Sequence, residues 1–173
     1  KQSFEHSLAP DGVRNRSYLK LQWNRCTDDI TVAVNQNYFQ SAKSNKDDGG
    51  KVRQFSVINQ AILKNSLVKN IISKNMEIVR SFAPLAKYNQ LTIGVHFIQY
   101  QADEMGASYS SPVGLHVDDE PLVFVHLVEL SNNAIGGDNL IADLKDQTIT
   151  NVVRLSKPMD TLVMSQDVYH AVT

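Results

Sequence analysis

The residues best suited to chemistry lie in the run Gly114-Leu115-His116-Val117-Asp118-Asp119-Glu120. In an extended strand, residues i and i+2 share a face. His116 and Asp118 therefore project together, and Asp119 points away. An imidazole and a carboxylate so placed can both reach one metal ion. The third ligand has to come from another strand, and the candidate is His170 in Val168-Tyr169-His170-Ala171-Val172-Thr173. Two histidines and one carboxylate make a facial triad, which holds iron(II) and leaves coordination positions open. The same three ligand types also suit a catalytic zinc. A zinc hydrolase would need a general base, and Glu120 is the one nearby. The plainer alternative is a surface histidine beside a solvated acidic run.

The remaining histidines are weaker candidates. His6 lies in a polar end. His96 and His126 sit inside apolar strands, where a histidine is more often a satisfied core residue than a ligand. His126 is at most a neighbour of the metal ligands.

The elements that must position these residues are short strands. Leu91–Ala102 (LTIGVHFIQYQA) alternates and is rich in β-branched and aromatic residues. Val113–Val117, Leu122–Leu130, Asn139–Ala142, Thr148–Leu155, Thr161–Met164 and Val168–Val172 are further strand candidates. Turn formers such as Gly136-Gly137-Asp138 and Lys157-Pro158 separate them. Earlier strands are expected over Val13–Leu21 and from Ile30 to Val34. Residues 55–86 are expected to be helical, with apolar residues at steps of three and four from Phe55 to Phe82, a break near Ser73–Asn75 and an end at Pro84. The pattern is an all-β core with flanking helices, a sandwich or barrel rather than a doubly wound sheet.

Composition narrows the function. The chain has 173 residues, 17 Lys plus Arg, 18 Asp plus Glu and a formal charge of -1. That balance argues against a nucleic-acid partner. No apolar run approaches the ~20 residues of a membrane helix, and the single cysteine, Cys26, excludes an intrachain disulfide. A cytoplasmic, single-domain protein acting on small molecules is the expectation.

Four stretches carry a family resemblance: Asp47-Asp48-Gly49-Gly50-Lys51-Val52-Arg53-Gln54-Phe55; Ser110-Ser111-Pro112 leading to Leu115–Pro121; Leu130-Ser131-Asn132 leading to Ala134–Ala142; and His170-Ala171-Val172-Thr173. From about Arg16 to Thr173 the sequence resembles the bacterial 2-oxoglutarate- and Fe(II)-dependent hydroxylases of free aliphatic L-amino acids. The resemblance implies a double-stranded β-helix (jelly roll) with iron(II) on His116, Asp118 and His170. It further implies 2-oxoglutarate and dioxygen as cosubstrates, with succinate and carbon dioxide formed as an unactivated C–H is hydroxylated. Tyr100 and Ser110 are the cosubstrate-binding candidates, and Arg53 is the candidate partner of the substrate's α-carboxylate. Asp48 and Asp119 are weaker candidates for its ammonium. The family's cosubstrate-anchoring arginine follows the distal histidine by roughly fifteen residues on a last strand, so residues 1–173 read as one dioxygenase domain lacking N-terminal residues and that strand. The alternative is a non-catalytic metal-binding jelly-roll module acting as a sensor or binding protein. Which amino acid is used, and at which carbon, is not legible.

Overall fold

The computed structural model describes residues 8–11, 14–102, 104, 106–110 and 112–173. His6 and Ser111 lie outside the described residues. The chain forms two compact units, one of residues 1–38 and 52–108, the other of residues 39–51 and 109–173.

The first unit is organised on β2 (Arg14–Asn24), which pairs antiparallel with β6 (Gln90–Tyr100) along its whole length. The shorter strands β1 (Ala9–Asp11) and β3 (Asp29–Val32) pair with its two ends. Strand alternation then sorts the side chains. Leu19 and Leu21 face one side with Val95 and Ile93 opposite them, and Ile58, Ile62, Leu63, Val68 and Ile72 pack there as the core. Arg14, Arg16 and Tyr18 belong to the other side, with His96 directly across from Tyr18. Apolar burial on one face thus leaves the second face of the same sheet free to carry polar groups.

The helical segment differs from the sequence expectation in where it starts and breaks: residues 55–59 form no helix, with Val57 bridged to Tyr18. A 3-10 turn (Gln60–Lys64) precedes α1 (Ser66–Ser81), and the interruption falls at Asn65 rather than near Ser73–Asn75. Asn65 adopts an extended conformation, and its side-chain oxygen accepts from the amides of Leu67 and Val68, the capping role that asparagine fills well. Asn59 caps the 3-10 turn in the same way. Pro84 lies in a second short 3-10 turn (Ala83–Leu85) just past the helix end. Among the described residues, no helix is long and apolar enough to cross a membrane.

Short strands β4 (Tyr38–Phe39) and β5 (Val52–Arg53) flank the segment that enters the second unit. That unit contains two small antiparallel sheets. One pairs β7 (Leu122–His126) with β10 (Thr161–Ser165). The other runs β11 (Tyr169–Val172), β8 (Asp138–Ala142), β9 (Ile149–Arg154). The glycine turn ahead of β8 packs tightly against β11. Gly136 and Gly137 have φ of 80° and 83°, a Cβ on Gly136 would stand 3.0 Å from the Thr173 carbonyl oxygen, and Gly137 N–H donates to that oxygen at 2.7 Å. Only glycine tolerates both the left-handed backbone and the close approach.

One strand expectation fails. Residues 113–117 form no strand; His116 alone makes an antiparallel bridge, to His170. Gly114, at φ 93°, turns the chain immediately before the histidine and ends regular pairing there.

Candidate metal centre

His170 is held in register by β8, through its pairing with Ile141. His116 is tied to it by reciprocal backbone hydrogen bonds, His116 N–H to the His170 carbonyl and the reverse, each 2.9 Å. The bridge brings the two imidazoles to 4.2 Å between centroids. Asp118 completes the group: its Oδ1 lies 3.6 Å from His116 Nε2 and its Oδ2 3.4 Å from His170 Nε2. The three ligand atoms all fall within 4.8 Å of one another.

The donor set fits a divalent ion. His116 Nδ1 is 3.0 Å from the Gly114 carbonyl and donates to it; in the neutral ring this leaves the Nε2 lone pair for an ion, whereas in the protonated ring of the metal-free protein Nε2–H faces Asp118 Oδ1 at 3.6 Å. A second partner of this kind fixes tautomer and ring plane in metal-binding histidines. Donors about 2.1 Å from one ion and at right angles stand about 3 Å apart; the Asp118 oxygens lie 3.6 and 3.4 Å from the two imidazole nitrogens. Three protein donors occupy half of an octahedron and leave room for a chelating cosubstrate.

Electrostatics follow the geometry. Burial pushes the His116 imidazole down, but hydrogen bonds to Asp118 and the Gly114 carbonyl and the charge of Asp118 outweigh it, and its pKa lies above the ordinary value. His170 is buried more deeply. Burial and the neighbouring His116 lower its pKa against the pull of Asp118.

Strand alternation predicts that Asp119 points away from the ligands, but residues 117–119 form no strand; its carboxylate is instead engaged by the Ser41–Ser44 turn. It accepts from the Ser41 backbone N–H, from Ser41 Oγ at 2.7 Å and from Ser44 Oγ at 2.6 Å. Burial raises its pKa, but the bonds from Ser44 and Ser41 and the charge of Lys43 lower it more. Gln166 Nε2 donates to the carbonyls of Asp118 (3.2 Å) and Asp119 (2.7 Å), and Val113 N–H donates to Asp47 at 3.2 Å. The loop that carries His116 and Asp118 is thereby pinned on two sides. Ser41, Ser44 and Gln166 carry no sequence signal of this role, since each is a common polar residue far from His116 in the chain.

The other sequence candidates lie as follows. Arg53 belongs to the first unit, its guanidinium 5.1 Å from the Tyr38 ring centre and 5.4 Å from that of Phe55. Tyr100 ends β6 opposite Arg14 and is 47% exposed. Ser110 lies in an irregular stretch and is half-buried. Asp48 pairs with Lys51 at 3.2 Å. His126 accepts or donates at Thr161 Oγ1, 2.7 Å away, and stacks on Phe124. His96 is buried and hydrogen-bonded by Arg16, a partner the sequence did not point to.

Two histidines and one carboxylate arranged this way are the ligand pattern of the non-haem iron(II) oxygenases. The comparisons place the chain among them: the family model described as 2OG-Fe dioxygenase matches residues 5–173, and the chain belongs to that family. It is 45% identical over 160 residues to an L-isoleucine-4-hydroxylase of Bacillus thuringiensis, covering 92% of this chain and 66% of that protein. It is 38% identical over 162 residues to a 3(1)-hydroxy-L-isoleucine 4-dioxygenase of Pantoea ananatis, covering 94% and 65% respectively. The chain thus spans just under two thirds of the length of either relative. The crystal structure of IDO from Bacillus thuringiensis superposes with a TM-score of 0.81 at 40% identity, over 99% of this chain and 74% of that one. A bsmA homolog from Methylobium petroleophilum gives 0.81 at 18% identity, over 99% and 72%, a likeness of fold.

Proposed function

We propose that the chain is the catalytic domain of a 2-oxoglutarate- and Fe(II)-dependent dioxygenase that hydroxylates an aliphatic side-chain carbon of a free L-amino acid of isoleucine or leucine type. The observation that carries this reading is the convergence of His116, Asp118 and His170. Identity to two amino-acid oxygenases supports the substrate class. The single family match over residues 5–173 supports reading the whole chain as one dioxygenase domain, and the two small antiparallel sheets that follow residue 121 support a double-stranded β-helix.

His116 Nε2, Asp118 and His170 Nε2 would hold the iron. When bound, iron(II) supplies the chemistry that couples decarboxylation of 2-oxoglutarate to C–H hydroxylation, with succinate, carbon dioxide and the alcohol as products. The chain's part is to orient and to position. The Gly114 carbonyl keeps the His116 proton on Nδ1, and the backbone bridge holds His170 beside His116. Arg53 pairs with the substrate's α-carboxylate, since a guanidinium binds a carboxylate in a fixed bidentate geometry. Tyr100 and Ser110 hydrogen-bond carboxylate oxygens of the cosubstrate. The reading also takes the protein to be cytoplasmic, with small-molecule rather than nucleic-acid or membrane partners.

Mass spectrometry of free amino acids incubated with the full-length protein, Fe(II), ascorbate and 2-oxoglutarate tests this. A gain of one oxygen on an aliphatic amino acid, with matching succinate, is the expected result. No oxygen gain across the panel and no succinate would leave a non-catalytic metal-binding module as the better account.

A further inference from the structure

We infer that residues 40–51 form a strap that fixes the segment carrying His116 and Asp118, with the buried Asn45 as its positioning residue. The inference rests on the reading above only in taking those two side chains as metal ligands.

Three observations carry it. First, residues 113–119 form no strand, and their backbone bridge to β11 is made at His116. A segment without a ladder is set by the other bonds its backbone and side chains make. Second, residues 40–51 grip that segment on both sides of the two ligands. Asp47 accepts from the Val113 N–H at 3.2 Å, three positions before His116. Ser41 and Ser44 donate to Asp119, one position after Asp118. Third, Asn45 holds the gripping residues in one arrangement. It is fully buried in a segment that has neither helix nor strand. Its Oδ1 accepts from the amides of Asp47 at 3.1 Å and Asp48 at 2.8 Å, and its Nδ2 donates to Gln40 Oε1 at 3.0 Å. Its backbone N–H donates to the Ser41 carbonyl at 3.0 Å, and its carbonyl accepts from Gly49 N–H at 2.9 Å. Gly50 N–H donates to the Gln40 carbonyl at 2.8 Å and closes the ends of the strap. Asn45 thus joins Ser41 on one side to Asp47 on the other. An apolar residue in its place would strand the Asp47 and Asp48 amides, and both grips would loosen together.

Amide hydrogen exchange of the metal-free full-length protein reads the strap directly, and Co(II) titration reads what it does for the ligands. In Asn45→Ala, peptides spanning residues 113–119 should exchange about tenfold faster, while those of β2 and β6 keep the wild-type rate. The variant should bind Co(II) about 10- to 100-fold more weakly, with its visible bands shifted by the altered ligand geometry. Met76→Ala, which empties part of the buried face of α1, should lower stability but leave both readouts unchanged. Because Asn45 acts partly through Asp119, combining Asn45→Ala with Asp119→Ala should cost less cobalt affinity than the product of the two single losses. Asn45→Ser, whose hydroxyl can still accept from a turn amide, serves if Asn45→Ala does not fold. Wild-type exchange over residues 113–119, or wild-type cobalt affinity and spectrum, in the folded variant would overturn the inference. So would a fully multiplicative double variant or an equal effect in Met76→Ala. A wild type that binds no cobalt would refute the proposed function, and the exchange rates would still decide the strap.

Discussion

Asp119 offers a direct probe of how the loop carrying His116 and Asp118 is set, because it neighbours a proposed ligand without being one. Its carboxylate accepts three hydrogen bonds from Ser41 and Ser44. Bonds to a charged group contribute ~1.5–3 kcal/mol each when well shielded. Asp119 is exposed, so water competes and ~1 kcal/mol per bond is the better figure. Asp119→Ala should then cost about 2–3 kcal/mol in all. Part appears as lost stability and part as a looser Asp118, which follows directly in the chain. Loss of a group that orients a ligand typically weakens metal binding about 10- to 100-fold, and the lower end is expected here because Gln166 still holds the Asp118 and Asp119 carbonyls. The assay is Co(II) titration followed by visible absorption, beside urea denaturation of the metal-free protein. Asp119→Ala should bind one ion per chain about tenfold more weakly, with Asp119→Asn intermediate because it keeps one acceptor oxygen. Wild-type affinity together with wild-type stability in Asp119→Ala would refute the reasoning.

Three further predictions follow from the same geometry. Asp118→Ala should abolish stoichiometric metal binding where Asp119→Ala only weakens it; equal loss in the two, measured by metal analysis after desalting, would contradict the assignment of the acids. His96 is held neutral in the fold, with its pKa well below the ordinary 6.5, so the unfolded chain binds the extra proton as pH falls below about 6.5. Stability should therefore drop toward acid by up to ~1.4 kcal/mol per pH unit from this group, and His96→Asn, which retains an acceptor for Arg16, should flatten that slope in denaturation curves at pH 7 and 5.5. Gly49→Ala places a Cβ 2.3 Å from the backbone oxygens of both Ser41 and Asn45; the turn must shift, and denaturation should show a loss of about 1–3 kcal/mol.

What the sequence disclosed follows physical range. The candidate triad was legible because His-x-Asp is local and because His170 lies in a short apolar segment that forms β11, although the strand invoked for His116 and Asp118 is absent. Strands β6, β8 and β10 were legible as short apolar runs bounded by turn formers. The strand expected over residues 113–117 was not there, because Gly114 in the left-handed region ends the ladder and composition does not reveal φ. The helix break was misplaced because asparagine serves equally as a solvated residue and as a cap; only the extended backbone of Asn65 shows which. Arg16 with His96, and Asp119 with Ser41 and Ser44, could not be read at all. Each pair joins residues 75 or more positions apart, and the first depends on the β2–β6 register, which no local pattern specifies.

The central claim is that His116, Asp118 and His170 hold one catalytic iron. Its most direct test is anaerobic Fe(II) binding by full-length wild type and by His116→Ala, Asp118→Ala and His170→Ala. The account predicts one ion per chain in wild type and loss of that ion in all three variants, with their folds intact by circular dichroism. One tightly bound ion retained in any of the three would contradict it.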